Sequence, residues 1–259
     1  MSADDSLVAV RAWTRRLDRD GALPAGDLAA LRGALREPFD FRARQVLARP
    51  EAPPPFALLI LEGLAARIKD TGRGLRQIVS ILTPGELCSA GLALVLPMDY
   101  ALVALSDGRA ARLSGQAIDE LQANAPQLML ALGRTLAEEA AITREWVVNM
   151  GARDGAERIA HLLCELRWRL LAVAAVGAGT CRLPIGQRDV AEAVGLSLVQ
   201  VNRVMQRLRK AGLIEIGRGR VDVLDPTRLA AAAAFDPHYL EVRDTAAPAL
   251  AWRGLQLSS

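Results

Sequence analysis

Residues 194–214 read VGLSLVQVNRVMQRLRKAGLI. Val201, Val204, Met205 and Leu208 recur at helical spacing, and Arg203, Arg207, Arg209 and Lys210 crowd the second half. The preceding GQRDVAEAVG is a shorter helical pattern closed by Gly195, where the chain can turn sharply with no side chain in the way. Ser197 suits the N-cap of the longer helix, its hydroxyl accepting from a backbone N–H that has no partner within the helix. Val190, Ala191, Val194 and Leu196 are expected to share a core with Val201, Val204, Met205 and Leu208. That leaves Leu198, Val199, Gln200, Asn202, Arg203, Gln206, Arg207 and Lys210 facing outward to varying degrees. A short strand CRLPI precedes the pair, and strands LIEIG and RVDVLD, joined by Arg218-Gly219, follow it. Helix, turn, helix and hairpin in this order spell a winged helix.

Charge says what such a module could meet. The whole chain carries only +3, but residues 181–228 hold nine Arg/Lys against five Asp/Glu, and residues 203–220 hold six against one. A basic surplus confined to one short segment fits a polyanion. Val199, Gln200, Asn202 and Arg203, near the helix start, are placed to read base edges in a major groove, where apolar side chains can pack on a thymine methyl. Arg207, Lys210, Arg218 and Arg220 are better placed for phosphates of the DNA backbone. The alternative is a winged helix used for protein contacts that does not bind DNA.

Upstream, the texture is different. Ser6–Arg19 and Pro24–Leu35 are short helical patterns. From Phe39 to Ser114, the runs FALLILEG, LRQIVSILT and YALVALS are separated by turn signals at Pro53-Pro54-Pro55, Thr71-Gly72-Arg73-Gly74, Thr83-Pro84-Gly85 and Asp107-Gly108. This spacing predicts an antiparallel β-roll or barrel. Pro126 then opens a long helix in which Met129, Leu132, Leu136, Ala140, Thr143, Val147 and Met150 recur at gaps of three and four. That is a coiled-coil-like seam, closed by Gly151 and expected to form a dimer interface; the alternative is a core helix packed on its own roll. The fold class is α+β, with N-terminal helices over 1–38, a β-roll over 39–125 and the long helix over 126–150. A winged-helix domain follows over 151–235, and a weakly structured tail over 236–259.

The chain of 259 residues is 51% hydrophobic and 24% charged, the balance of a folded protein with room for two modest cores. No apolar run approaches the roughly 18 residues that cross a bilayer, and the acidic start MSADDSLVAV is unlike a signal peptide, so a cytoplasmic protein with no membrane partner is expected. Cys88, Cys164 and Cys181 are widely spaced and form neither a disulfide framework nor a metal knuckle. No nucleophile elbow, P-loop, dinucleotide fingerprint or metal cluster argues for an enzyme.

The stretch IGQRDVAEAVGLSLVQVNRVMQRLRKAGLIEI resembles the DNA-binding domain of the CRP/FNR family of bacterial transcription regulators. The turn at Leu61-Glu62-Gly63, the turn Thr83-Pro84-Gly85-Glu86, the long helix and the run REWVVNMGARDGAERIAHLLCEL agree in order, so the resemblance spans roughly residues 40–240. It implies a homodimer that regulates transcription on a near-palindromic double-stranded operator, with RNA polymerase as a further partner. It also implies coupling of roll and winged helix through a hinge near Asn149–Asp154. Arg203 matches the family's guanine-reading arginine. Gln187 falls where the family places a phosphate-contacting polar side chain, and Ser197 completes the expected backbone contacts. Leu198-Val199 departs from the Arg-Glu pair of some members; an apolar pair there suits thymine better than guanine.

The resemblance also says what a cyclic-nucleotide site needs: a Glu for the ribose and an Arg with a small hydroxyl residue for the phosphate. In PGELCSAGLALVLPMDYALVAL, Glu86 comes too early, Ala90 stands at the ribose position, no Arg is present, and Met98-Asp99 occupies the phosphate location. Cyclic AMP is therefore not expected to bind tightly. An iron–sulfur cluster needs about four thiolates, and the N-terminal region has no cysteine before Cys88. Haem needs an axial ligand in the roll, yet the two histidines are His161 and His238. No cofactor is expected, and an effector, if any, is not named by the sequence. Cys88, beside the turn, is either a small buried hydrophobe or a redox-sensing thiol; Cys164 and His161 are expected to pack in the core.

Overall fold

The computed structural model describes residues 14, 16–18, 21, 23–50, 56–72, 74–88, 98–173 and 181–240. Most of the Ser6–Arg19 pattern, Pro53-Pro54-Pro55, residues 89–97, Gly177-Ala178-Gly179 and the chain from 241 onward lie outside the described residues.

The roll consists of two four-stranded antiparallel sheets. One has the order β1 (Arg36–Phe41), β8 (Gly108–Ser114), β3 (Phe56–Glu62), β6 (Leu87–Cys88). The other has the order β2 (Val46–Ala48), β7 (Ala101–Ala104), β4 (Ala65–Asp70), β5 (Arg76–Leu82). Strand β3, FALLILE, explains why the run is apolar without alternation. Side chains alternate faces along a strand, and here both faces are covered. Leu58 and Ile60 point into the roll with Phe41, Leu82, Cys88 and Leu102, whereas Ala57, Leu59 and Leu61 pack under helices. Those helices are α1 (Ala25–Ala34), α2 (Gly115–Asn124) and the start of α3 (Pro126–Ala152), which contribute Leu31, Ile118, Leu121 and Leu128. Ser114 caps α2 by accepting from Ala117 N–H at 3.1 Å.

The turn after β3 needs glycine. Gly63 has φ +78°, and a Cβ there would meet Asp107 O at 2.5 Å. No other residue fits both the left-handed backbone and the close approach.

Helix α3 buries Leu128, Ala131, Glu138, Ile142, Trp146 and Asn149 against its own chain. The seam residues run along an adjoining side of the helix, where Met129, Leu132 and Leu136 also border the roll. Leu136 and Val147 are 56% and 68% exposed, Ala140 and Thr143 are exposed, and Met129, Leu132 and Met150 are half-buried. One face of the helix thus packs on its own chain, as the core-helix alternative has it, while part of the seam stays exposed. Its end differs from expectation: α3 runs through Gly151 to Ala152. The stop is set downstream, where Asp154 accepts from the N–H groups of Ala156 and Glu157 at 2.7 and 2.9 Å and starts α4 (Gly155–Val173). Carboxylates favour such a position because it satisfies free N–H groups at the positive end of the helix dipole.

The C-terminal part is β9 (Cys181–Leu183), α5 (Gln187–Val194), α6 (Leu198–Lys210), β10 (Ile214–Gly217), β11 (Arg220–Val223) and α7 (Pro226–Ala232). The wing is a three-stranded sheet of order β10-β11-β9. A 3-10 turn at Pro237–Leu240 ends the described chain and is packed, with Leu240 fully buried, so the expected tail does not begin at 236. Roll and winged helix share one apolar cluster: Ile68, Ile78 and Ile81 of β4 and β5 join Trp146, Ile159, Val190, Val194 and Val201.

Candidate nucleic-acid interface

Gly195 ends α5 with φ +64°, and a Cβ there would lie 2.5 Å from Met150 Cε. Only a glycine turns here and lets the end of α3 approach. Ser197 then caps α6, its Oγ accepting from Gln200 N–H at 3.3 Å. The Gln200 Oε1 accepts in return from Ser197 N–H at 3.0 Å and from Ser197 O–H at 2.8 Å. This reciprocal pair is a capping box. Val201, Val204, Met205 and Leu208 are buried beneath α6, with Val190, Ala191 and Val194 of α5; Leu196 is half-buried.

The outward side of α6 divides the residues read from the sequence. Val199, Asn202 and Arg203 are exposed together on one stripe. Gln200 is exposed too, but its side chain is engaged in the capping box. Asn202 donates through Nδ2 to Gln187 Oε1 at 3.2 Å, which ties the recognition helix to the start of α5. Arg207, Arg209 and Lys210 are exposed in the last turn, where cations also complement the helix dipole. Arg218 and Arg220 lie exposed on the wing. Arg220 Nε is 3.1 Å from Asp222, which also holds Arg182 at 3.3 Å, so part of the wing's positive charge is matched on the spot.

The roll braces this module. Gln77 Nε2 donates to Ala193 O at 3.2 Å, and Arg44 lies 3.5 Å from Asp189, whose other oxygen accepts from Gly186 N–H at 3.2 Å. Burial raises the Asp189 carboxyl, with Arg44 opposing it. Below these contacts runs a buried charge network absent from the sequence reading. Arg169 on α4 donates to Glu86 and Glu165 at 2.7 and 2.8 Å and to Ile81 O at 2.5 Å. Arg16 reaches Glu86 at 2.7 Å and Glu138 at 3.2 Å. Glu165 also accepts from Trp146 Nε1 at 3.1 Å and from Tyr239 O–H at 2.9 Å. Burial alone would raise the Glu86 carboxyl, but Arg16, Arg169 and Thr83 N–H outweigh it and hold it below the usual range. At Glu165, burial wins and the carboxyl is pushed up. Two signals in the sequence could have revealed this: the Glu165–Arg169 spacing of four on an apolar helix, and Arg67 in the middle of β4. Arg67 pairs with Glu139 of α3.

These charges line a pocket of about 120 Å³ between roll and α3, where Arg16, Arg67, Glu86, Glu139 and Arg169 meet Leu82, Leu132 and Leu136. Glu86 thus serves the network, and the Ala90 position lies outside the described residues. Asp99 pairs with Lys69 at 2.6 Å.

Cys88 is buried, with Sγ 3.5 Å from Tyr100 Oη, in the surroundings of a small core residue. Cys164 is buried, and burial pushes its thiol up to about 12. His161 is 1% exposed, packed edge-on to Phe235 and stacked with Tyr239. Burial, helped by Arg153, lowers its pKa from 6.5 to about 3; the nearby Glu145, 3.4 Å away, is already held by Arg153 at 2.6 Å. The unfolded chain therefore binds a proton between those values that the folded chain does not, so stability falls as pH drops below 6.5. The loss from this group is about 2 kcal/mol at pH 5. Urea unfolding at pH 7.5 and 5.0 should show that the loss is smaller in His161→Phe, which cannot take up this proton.

Comparison with known proteins agrees with this architecture. A family model for the cyclic nucleotide-binding domain matches residues 38–125, and one for the Crp-like helix-turn-helix domain matches residues 157–232. The nitrogen fixation regulation protein FixK of Bradyrhizobium diazoefficiens is 29% identical over 175 residues, covering 68% of this chain and 73% of its own. The transcriptional activatory protein AadR of Rhodopseudomonas palustris is 28% identical, covering 68% and 72%. Among solved structures, FixK2 from Bradyrhizobium japonicum superposes with a TM-score of 0.66 at 22% identity, over 77% of this chain and 98% of that one. No helix among the described residues is long and apolar enough to cross a membrane. With a roll, a long helix and a winged helix in this order, and with both family models matched in their places, the chain belongs to the CRP/FNR family of DNA-binding transcription regulators.

Proposed function

We propose that this regulator works in the cytoplasm as a homodimer on a near-palindromic operator. Each copy places α6 in a major groove, the two grooves lying about 34 Å apart. The observation that carries this reading is the outward stripe of α6, where Val199, Asn202 and Arg203 stand exposed ahead of the cations Arg207 and Lys210. Gln187, Ser197, Arg207, Lys210, Arg218 and Arg220 hold the DNA backbone. The exposed seam on α3 supports the dimer, RNA polymerase is the protein partner, and the chain has no catalytic role.

Cyclic AMP, haem and an iron–sulfur cluster have no part in this reading. In the pocket between roll and α3, Arg16, Arg67 and Arg169 are each already paired with a carboxylate. A cyclic phosphate there would have to displace one of these buried partners. Micromolar binding of cyclic AMP in a calorimeter would overturn this part.

Duplexes selected from a random pool test the DNA reading, because enriched sequences show both the half-site and its symmetry. Affinity for them should fall steeply with added salt, as phosphate contacts release counterions. A failure to bind any duplex in a salt-sensitive way would favour a winged helix used for protein contacts. Arg203→Ala should cost about 1–3 kcal/mol and relax preference at one base pair. A uniform loss across all sequences would place Arg203 on phosphate instead.

A further inference from the structure

Val199 is 78% exposed at the start of α6, the most exposed of the chain's large hydrophobic side chains among the described residues. At about 100° per residue, Val199, Asn202, Arg203, Gln206 and Lys210 share one stripe, and Val201, Val204, Met205 and Leu208 lie on the opposite side. Val199 therefore stands in the middle of the outward face. Leu198, 52% exposed, lies off to one flank. An apolar group flanked by Arg203, Arg207 and Lys210 is not built for an apolar protein partner, since those cations would have to be desolvated with it. Beside DNA the same cations meet phosphates, and the valine meets the groove floor.

The neighbouring polar side chains narrow the code. Gln200 spends its oxygen on Ser197, and the Asn202 amide is held by Gln187. Val199 and Arg203, one helical turn apart, are left with no such tie among the described residues. A valine offers no hydrogen bond, and the one apolar group that the major groove presents is the C5-methyl of thymine.

We propose that Val199 is a specificity-determining residue that reads one thymine methyl in each half-site. This rests on the DNA-binding reading above. A turn of helix advances about 5.4 Å and a base step about 3.4 Å, so the thymine lies one or two base pairs from the pair read by Arg203.

The test replaces each thymine of an enriched duplex, one at a time, by deoxyuridine, which removes the methyl and nothing else. Binding by the full chain is compared with binding by Val199→Ala, which substitutes an exposed residue with a good helix former and should melt like the parent. The parent should lose affinity about three- to fivefold per half-site at one thymine, the worth of one buried methyl, and Val199→Ala should be indifferent to that change. If no thymine matters, or if the same one matters equally to Val199→Ala, this inference fails and DNA binding stands. If the pool yields no enriched duplex, both fail.

Discussion

Arg169→Ala is expected to lower the unfolding free energy by about 3–5 kcal/mol, because it strands buried carboxylates. Arg169 is 2% exposed, and its guanidinium joins the roll turn, through Glu86 and Ile81 O, to Glu165 on its own helix. Glu86 keeps Arg16 at 2.7 Å. Among the described residues, Glu165 keeps the uncharged donors Trp146 and Tyr239. A buried carboxylate without a cation either destabilises the fold or takes up a proton. Both carboxyls should titrate at higher pH in the variant than in the parent, so the folded variant gains protons as pH falls and the gap between the two proteins narrows. Urea unfolding of both at pH 8 and pH 5 checks this. A gap under about 1 kcal/mol at pH 8 would mean that solvent enters and replaces the guanidinium.

Leu136→Glu combined with Val147→Glu should yield a monomer whose operator affinity is about a hundredfold lower or more. The two side chains are 56% and 68% exposed along the seam of α3, Leu136 at the edge of the pocket between that helix and the roll. The substitutions leave the buried face of Ile142 and Trp146 intact, so each chain should still fold. In a dimer, two carboxylates from each helix would enter an apolar seam and repel their symmetry mates. A monomer binds one half-site at a time and loses the effective concentration that linkage gives, worth about 10²–10⁴ in affinity. Sedimentation reads the mass and duplex titration the affinity. A double variant that sediments as a dimer would place the interface elsewhere.

The winged helix was legible because its signals are local. Gly195 turns the chain, Ser197 and Gln200 cap each other, and four apolar positions at helical spacing bury one face, all between Gly195 and Leu208. The seam was legible for the same reason, since a period along one helix needs no partner to be seen. The C-terminal boundary of α3 was less so: Gly151 reads as a stop, yet the cap that decides it belongs to Asp154 and the next helix. Strands β4 and β8 carry arginines and small residues that break any apolar run, and only pairing with β5 and β3 makes them strands.

By itself, the sequence determined the elements of the DNA-binding half, the long helix with its apolar row, and the crowding of cations into one segment. The tertiary structure decided which of the exposed residues are free. Gln200 and Asn202 look like base readers in the sequence, but hydrogen bonds to Ser197 and Gln187 engage them, while Val199 and Arg203 remain open. It alone also brought Arg16, Glu86, Glu138, Glu165 and Arg169 together, from four separate parts of the chain. Local periodicity fixes the face a residue lies on; which charges meet across a core depends on how distant elements pack, and no spacing along the chain encodes that.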